Sequence, residues 1–171
     1  MKPPIILKTI LDILFLFVIF GTIIFIIFVG IFIFNSEGSI PFRVNDNLIA
    51  SLNAEAYTVL GFVLLSRILF IYTVYKFKYL VRLFFKGKFL NVEQVKLTRI
   101  IGQLIIIVAL LDTVPGVIYQ TFFEQSPRRV DYGLASADSF WFIIAIGLFF
   151  LFLSKIFENA RIMKEENELT V

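Results

Sequence analysis

The chain has 171 residues, 59% of them hydrophobic, and a mean hydropathy of +0.91, well above the roughly 45–50% apolar content of soluble domains. It contains no cysteine and no histidine, which excludes disulfides, thiol chemistry, Cys or His metal sites and imidazole acid–base catalysis. The net charge of +3 reads as the Lys and Arg excess that cytoplasmic loops of membrane proteins carry, not as a nucleic-acid footprint.

Four runs approach or exceed the ~20 apolar residues needed to cross a bilayer. The first, Ile13 to Phe34, follows Lys2, Lys8 and Asp12, with Pro3-Pro4 delaying the helix start. We read it as a retained span and not a signal peptide, because its apolar region is long and Asn35-Ser36-Glu37 follows in place of small residues suited to cleavage. From Asn35 to Glu55 the chain is polar and rich in turn residues. Phe42, Val44, Leu48 and Ile49 flank Asn45-Asp46-Asn47, a pattern that fits a short hairpin or an irregular loop on the membrane surface.

The second span, Ala56 to Tyr75, is apolar except for Arg67. Beyond it Lys76, Lys78, Arg82, Lys86 and Lys88 alternate with apolar residues, which predicts an amphipathic continuation whose cations face lipid headgroups. Gly87 is expected to end it, and Asn91 with Gln94 three positions on predicts the cap of the next helix. The third span, Ile100 to Phe123, carries Asp112 and Pro115-Gly116. Proline there lacks an amide hydrogen, so the Leu111 carbonyl loses its helical partner and a kink is expected. Glu124 to Ser139 forms a second loop, and the fourth span runs from about Phe140 to Phe157. In the charged tail from Glu158, the positions Ile156, Ala160 and Met163 share one helical face. The spacing predicts helix to about Lys164, that face resting on the basic loop or a partner, with the tail's glutamates meeting Lys86, Lys88 or Arg99.

The N-terminal segment, residues 76–99 and the tail from Lys155 hold twelve Lys and Arg, whereas the other two loops hold three, Arg43, Arg128 and Arg129. The positive-inside rule therefore predicts both termini in the cytoplasm. The expected architecture is all-α, a single domain over residues 1–171, with four membrane-spanning helices in an antiparallel bundle.

Arg67 and Asp112 each lie 12 residues from an acid at the outer mouth, Glu55 and Glu124, so both fall about 18 Å down antiparallel neighbours. Ionised groups at that depth are costly, and equal depth predicts a buried ion pair that holds the bundle together or serves ion movement. Gly61 and Gly116 also match in depth and read as close-packing points. Trp141, Tyr132 and Tyr119 read as outer-interface anchors, and Tyr72, Tyr75 and Tyr79 as inner ones. Catalysis finds no footing, because Asp112 has no second deep carboxylate beside it and the sequence has no glycine-rich phosphate loop. No cofactor or metal is expected.

Ser139-Phe140-Trp141, Ile156-Phe157-Glu158-Asn159-Ala160-Arg161, the closing Glu-Glu-Asn-Glu-Leu-Thr-Val, and Gly87-Lys88-Phe89 leading into Asn91-Val92-Glu93-Gln94 together resemble a family of small bacterial four-helix membrane proteins. That family is catalogued as domain of unknown function 2975. The resemblance implies no activity and no catalytic residues. It does imply a partnership with a small cytoplasmic helix-turn-helix regulator. The expected role is thus a non-catalytic, regulatory or stress-linked module of the bacterial inner membrane, with the lipid bilayer and a cytoplasmic protein as partners, no direct nucleic-acid binding, and scope for oligomerisation. The competing expectation is a small transporter or channel component built on Arg67 and Asp112.

Overall fold

The computed structural model describes residues 5–34, 42–44, 47–49, 54–85, 91–122 and 140–169. Among these, four long helices follow one another: α1 (Ile5–Phe34), α2 (Ala54–Phe85), α3 (Val92–Phe122) and α4 (Phe140–Leu169). All four are long and apolar enough to cross a membrane, as a backbone with every hydrogen bond satisfied internally must be to sit in lipid. Between α1 and α2 lies a short antiparallel hairpin, β1 (Phe42–Val44) and β2 (Asn47–Ile49), in the register Phe42↔Ile49, Arg43↔Leu48 and Val44↔Asn47. The alternative of a wholly irregular loop is therefore not adopted.

Each helix exceeds its apolar run. α2 continues without a break through Lys76, Lys78 and Arg82 to Phe85, and α4 continues past Phe157 to Leu169. α3 starts at Val92, eight residues before its apolar span, and its helix runs on through Pro115-Gly116 to Phe122. The expected kink at Pro115-Gly116 does not end the helix, and the side chains there lie outside those described.

α3 occupies the centre, packed on α2 along one side and on α4 along the other, whereas α1 packs chiefly on α2. The arrangement is a three-helix body with a fourth helix laid along its flank. Within α2 the buried positions Val59, Ser66, Thr73 and Leu80 recur every seven residues, the repeat of an antiparallel helix seam. Leu80 meets Leu97 and Ile101 of α3, and Phe77, Leu83, Phe84, Ile105 and Phe150 close around them. Two ring contacts tie α2 to α4 at the same end, Phe77 to Phe150 at 5.9 Å and Phe84 to Phe157 at 5.6 Å between centroids.

The α3–α4 approach depends on two glycines. A Cβ on Gly102 would stand 2.8 Å from the Gly147 carbonyl oxygen, and one on Gly147 would stand 2.6 Å from Ile106 Cγ1. Small residues permit such backbone proximity between membrane helices. Of the glycines singled out from depth, Gly61 does not fill this role, since a Cβ on it would meet nothing within 4 Å; the surroundings of Gly116 lie outside the described residues.

Candidate functional site

Hydroxyl groups in the helices satisfy themselves locally. Thr22, Thr73, Thr98 and Thr113 donate to the carbonyls four residues back, Val18, Leu69, Gln94 and Ala109, the arrangement available to Thr where no water can reach. Ser66 and Ser154 depart from this and reach across to other helices. Ser154 Oγ donates to the Val95 carbonyl at 3.1 Å, joining α4 to α3. Ser66 Oγ donates to Asp112 Oδ1 at 2.5 Å, joining α2 to α3.

The Ser66–Asp112 contact sits about 18 Å along α2 from its start and about 15 Å along α3 from its end, at 1.5 Å per residue. Asp112 and the region of Arg67 are thus at matching depth, yet the structure does not bring those two side chains together. Ser66 is 2% exposed and faces α3. Arg67 lies one residue further on and is turned about 100° away. Its guanidinium stands over the Phe25 ring of α1 at 5.7 Å from the centroid, a cation–π contact. Among the described residues the ion pairs are Lys78–Asp12, Arg99–Glu158, Arg161–Glu165 and Lys164–Glu168; Arg67 and Asp112 are in none of them. The physical reason is rotational: the seven-residue seam passes through 59, 66, 73 and 80, which leaves 67 on the α1 side.

At the other end the charges are organised by helix ends and seams. The Asn91 backbone N–H donates to Gln94 Oε1 at 3.2 Å, while the Asn91 carbonyl accepts from the Gln94 and Val95 amides at 3.0 and 3.3 Å. This is the expected start of α3. Tyr79 donates to Glu93 at 2.9 Å across α2 and α3. Arg99 pairs with Glu158 at 3.1 Å, one of the pairings expected of the tail. Of the basic stretch, Lys76 lies over the Tyr72 ring at 5.1 Å, Lys78 pairs with Asp12 of α1 at 2.5 Å, and Arg82 is exposed. These three belong to a helix and not to a loop; Lys86 and Lys88 lie outside the described residues. Sequence reasoning missed Asp12, Ser66, Gly102 and Gly147. Only Asp12 carried a usable signal, an acid at the very edge of a membrane run.

The tail helix carries Ile156 at 43% and Met163 at 63% exposure. Its apolar face does not rest on α2. Arg161 and Lys164 instead pair along the helix with Glu165 and Glu168.

A profile of the family described as Protein of unknown function (DUF2975) matches residues 40–171. No curated protein and no solved structure matches the chain.

Proposed function

This chain belongs to the DUF2975 family, and we propose that it is a non-catalytic, multi-pass protein of the bacterial inner membrane that presents the end of α4 to a cytoplasmic protein partner. The observation that carries this reading is the length of α4. It stays helical for twelve residues beyond Phe157, to Leu169, about 18 Å at 1.5 Å per residue. The ends of helices fray, and apolar groups such as Met163 are costly to leave in water. A partner laying its own apolar stripe along Ile156, Ala160 and Met163 would offset both. The partner class is a small helix-turn-helix regulator, as the family resemblance implies. Both termini and the α2–α3 turn face the cytoplasm in this reading, by the distribution of Lys and Arg. The transport reading had rested on an Arg67–Asp112 pair. With those side chains apart, the Ser66–Asp112 contact gives it too little support to be preferred.

The test uses the absence of native cysteine. Single cysteines at Ser36, Ser126 and Thr170 are treated with an impermeant thiol reagent outside intact cells; labelling is expected at 36 and 126, and labelling at 170 overturns the topology. A photo-crosslinking residue at Met163 is then expected to capture one cytoplasmic regulator, identified by mass spectrometry. Capture should be lost when Ile156→Asp is added. Capture of lipid or of further copies alone overturns the partner reading.

A further inference from the structure

The α1–α2 seam holds a charge arrangement that neither the fold nor the proposed partner uses. The two helices run antiparallel, with Phe15 against Tyr75 at 6.4 Å between centroids and Asp12 paired with Lys78 at 2.5 Å. Both pairs have residue numbers that add to the same value, so the register is fixed. Lys8 stands four residues before Asp12 and Arg82 four residues after Lys78, which on antiparallel helices is one turn further in the same direction. Lys8 and Arg82 therefore face each other across the seam. Both side chains are exposed, and both act electrostatically on Asp12. That carboxylate is already engaged by Lys78 at 2.5 Å, and Lys78 also lies over the Phe15 ring at 5.0 Å. Among the described residues neither Lys8 nor Arg82 is in an ion pair.

Two like charges held opposite each other repel unless an anion lies between them. The surroundings define that anion. Ile6 and Ile10, half a turn before and after Lys8 on the opposite face of α1, are 73% and 54% exposed, so at the depth of the cations the helix already presents apolar surface outward. We propose that the Lys8–Arg82 cleft binds a phosphate anion at headgroup level, supplied by an anionic phospholipid or by free phosphate. Arginine offers a planar fork matched to phosphate oxygens, and lysine a point charge. Lys78 and Asp12 form the floor and position the cleft. Basic pockets between membrane helices recognise anionic headgroups in this way. The inference needs only the membrane-spanning architecture and stands apart from the partner reading.

Native mass spectrometry of the full chain released from detergent tests it, with phosphatidylglycerol, phosphatidylcholine and inorganic phosphate as probes. Wild type is expected to retain phosphatidylglycerol in preference to phosphatidylcholine. The Lys8→Gln/Arg82→Gln variant should lose about fivefold of that preference per cation removed. Lys96→Gln/Lys155→Gln removes the same charge elsewhere and should keep the preference. Lys8→Arg/Arg82→Lys should keep it too, which separates loss of charge from loss of fold. Retention of inorganic phosphate that depends on Lys8 and Arg82, without lipid preference, assigns the site to a soluble anion. Equal loss in the two charge-removing variants, or no retention of either probe, overturns the site.

Discussion

Consecutive side chains on a helix stand about 100° apart, and that angle decides what Asp112 meets. Depth alone brings residues 66 and 67 of α2 equally near it; rotation selects Ser66, which is buried, and sends Arg67 to the Phe25 ring of α1. Polar contacts between membrane helices average about 0.6 and reach about 1.7 kcal/mol by double-mutant cycles. The expected outcome is that Ser66→Ala and Asp112→Asn are coupled by an amount in this range, measured as resistance to heat-induced aggregation in mild detergent. Arg67→Gln and Asp112→Asn should simply add. Coupling of Arg67, with additivity for Ser66, would show that the side chains pair differently in the membrane. The matching depth of the two charges was legible from the sequence because helical rise is constant. Their facing was not, because lipid is as apolar as the protein interior and a seam containing Ser66 and Thr73 does not stand out by hydrophobicity.

At the scale of the helix, termini were easier to read than faces. The α3 start follows from Asn91 and Gln94: the Gln94 side chain accepts from the Asn91 amide, the return half of the capping pattern, while the Asn91 carbonyl takes the first helical bonds. The continuation of α2 through its cations and of α4 past its membrane run was legible in the spacing, because charge marks the end of a membrane run and not the end of a helix; only the last turn of α4, beyond Lys164 to Leu169, exceeds the expectation. The α3–α4 contact was hidden for a different reason. Glycine is common in membrane helices, and nothing local distinguishes Gly102 and Gly147 from Gly61. Only the fold shows that a Cβ at 102 would stand 2.8 Å from a backbone oxygen, whereas one at 61 would meet open space. Gly102→Ala and Gly147→Ala are therefore each expected to lose stability by about 1–3 kcal/mol, the usual range for overpacking. Gly61→Ala should be neutral or slightly stabilising, since alanine is the better helix former. Thermal aggregation of the three variants in one detergent checks this, and equal behaviour of all three would show that α3 and α4 do not approach so closely.

For the whole molecule, the unequal packing of α1 separates a body from an attachment. α3 is held on both sides, whereas α1 packs chiefly on α2, through Asp12–Lys78, Phe15–Tyr75 and Arg67–Phe25. The family match also begins at residue 40, beyond α1. Both observations predict that a chain trimmed to residues 40–171, with an added initiator methionine, keeps the α2–α3–α4 body. In the proposed topology the seven Lys and Arg between 76 and 99 keep the α2–α3 connection on the cytoplasmic side after trimming. Trimming removes both Asp12 and the Phe15 ring that cover Lys78, and an unpaired cation left facing the edge of the lipid is destabilising. The trimmed chain should accordingly be monodisperse in mild detergent but somewhat less stable than the full chain, and Lys78→Gln should recover part of the loss in the trimmed chain while costing stability in the full one. That reversal of sign is the diagnostic outcome. If the trimmed chain aggregates outright and Lys78→Gln does not rescue it, α1 is integral to the body and the attachment reading is wrong.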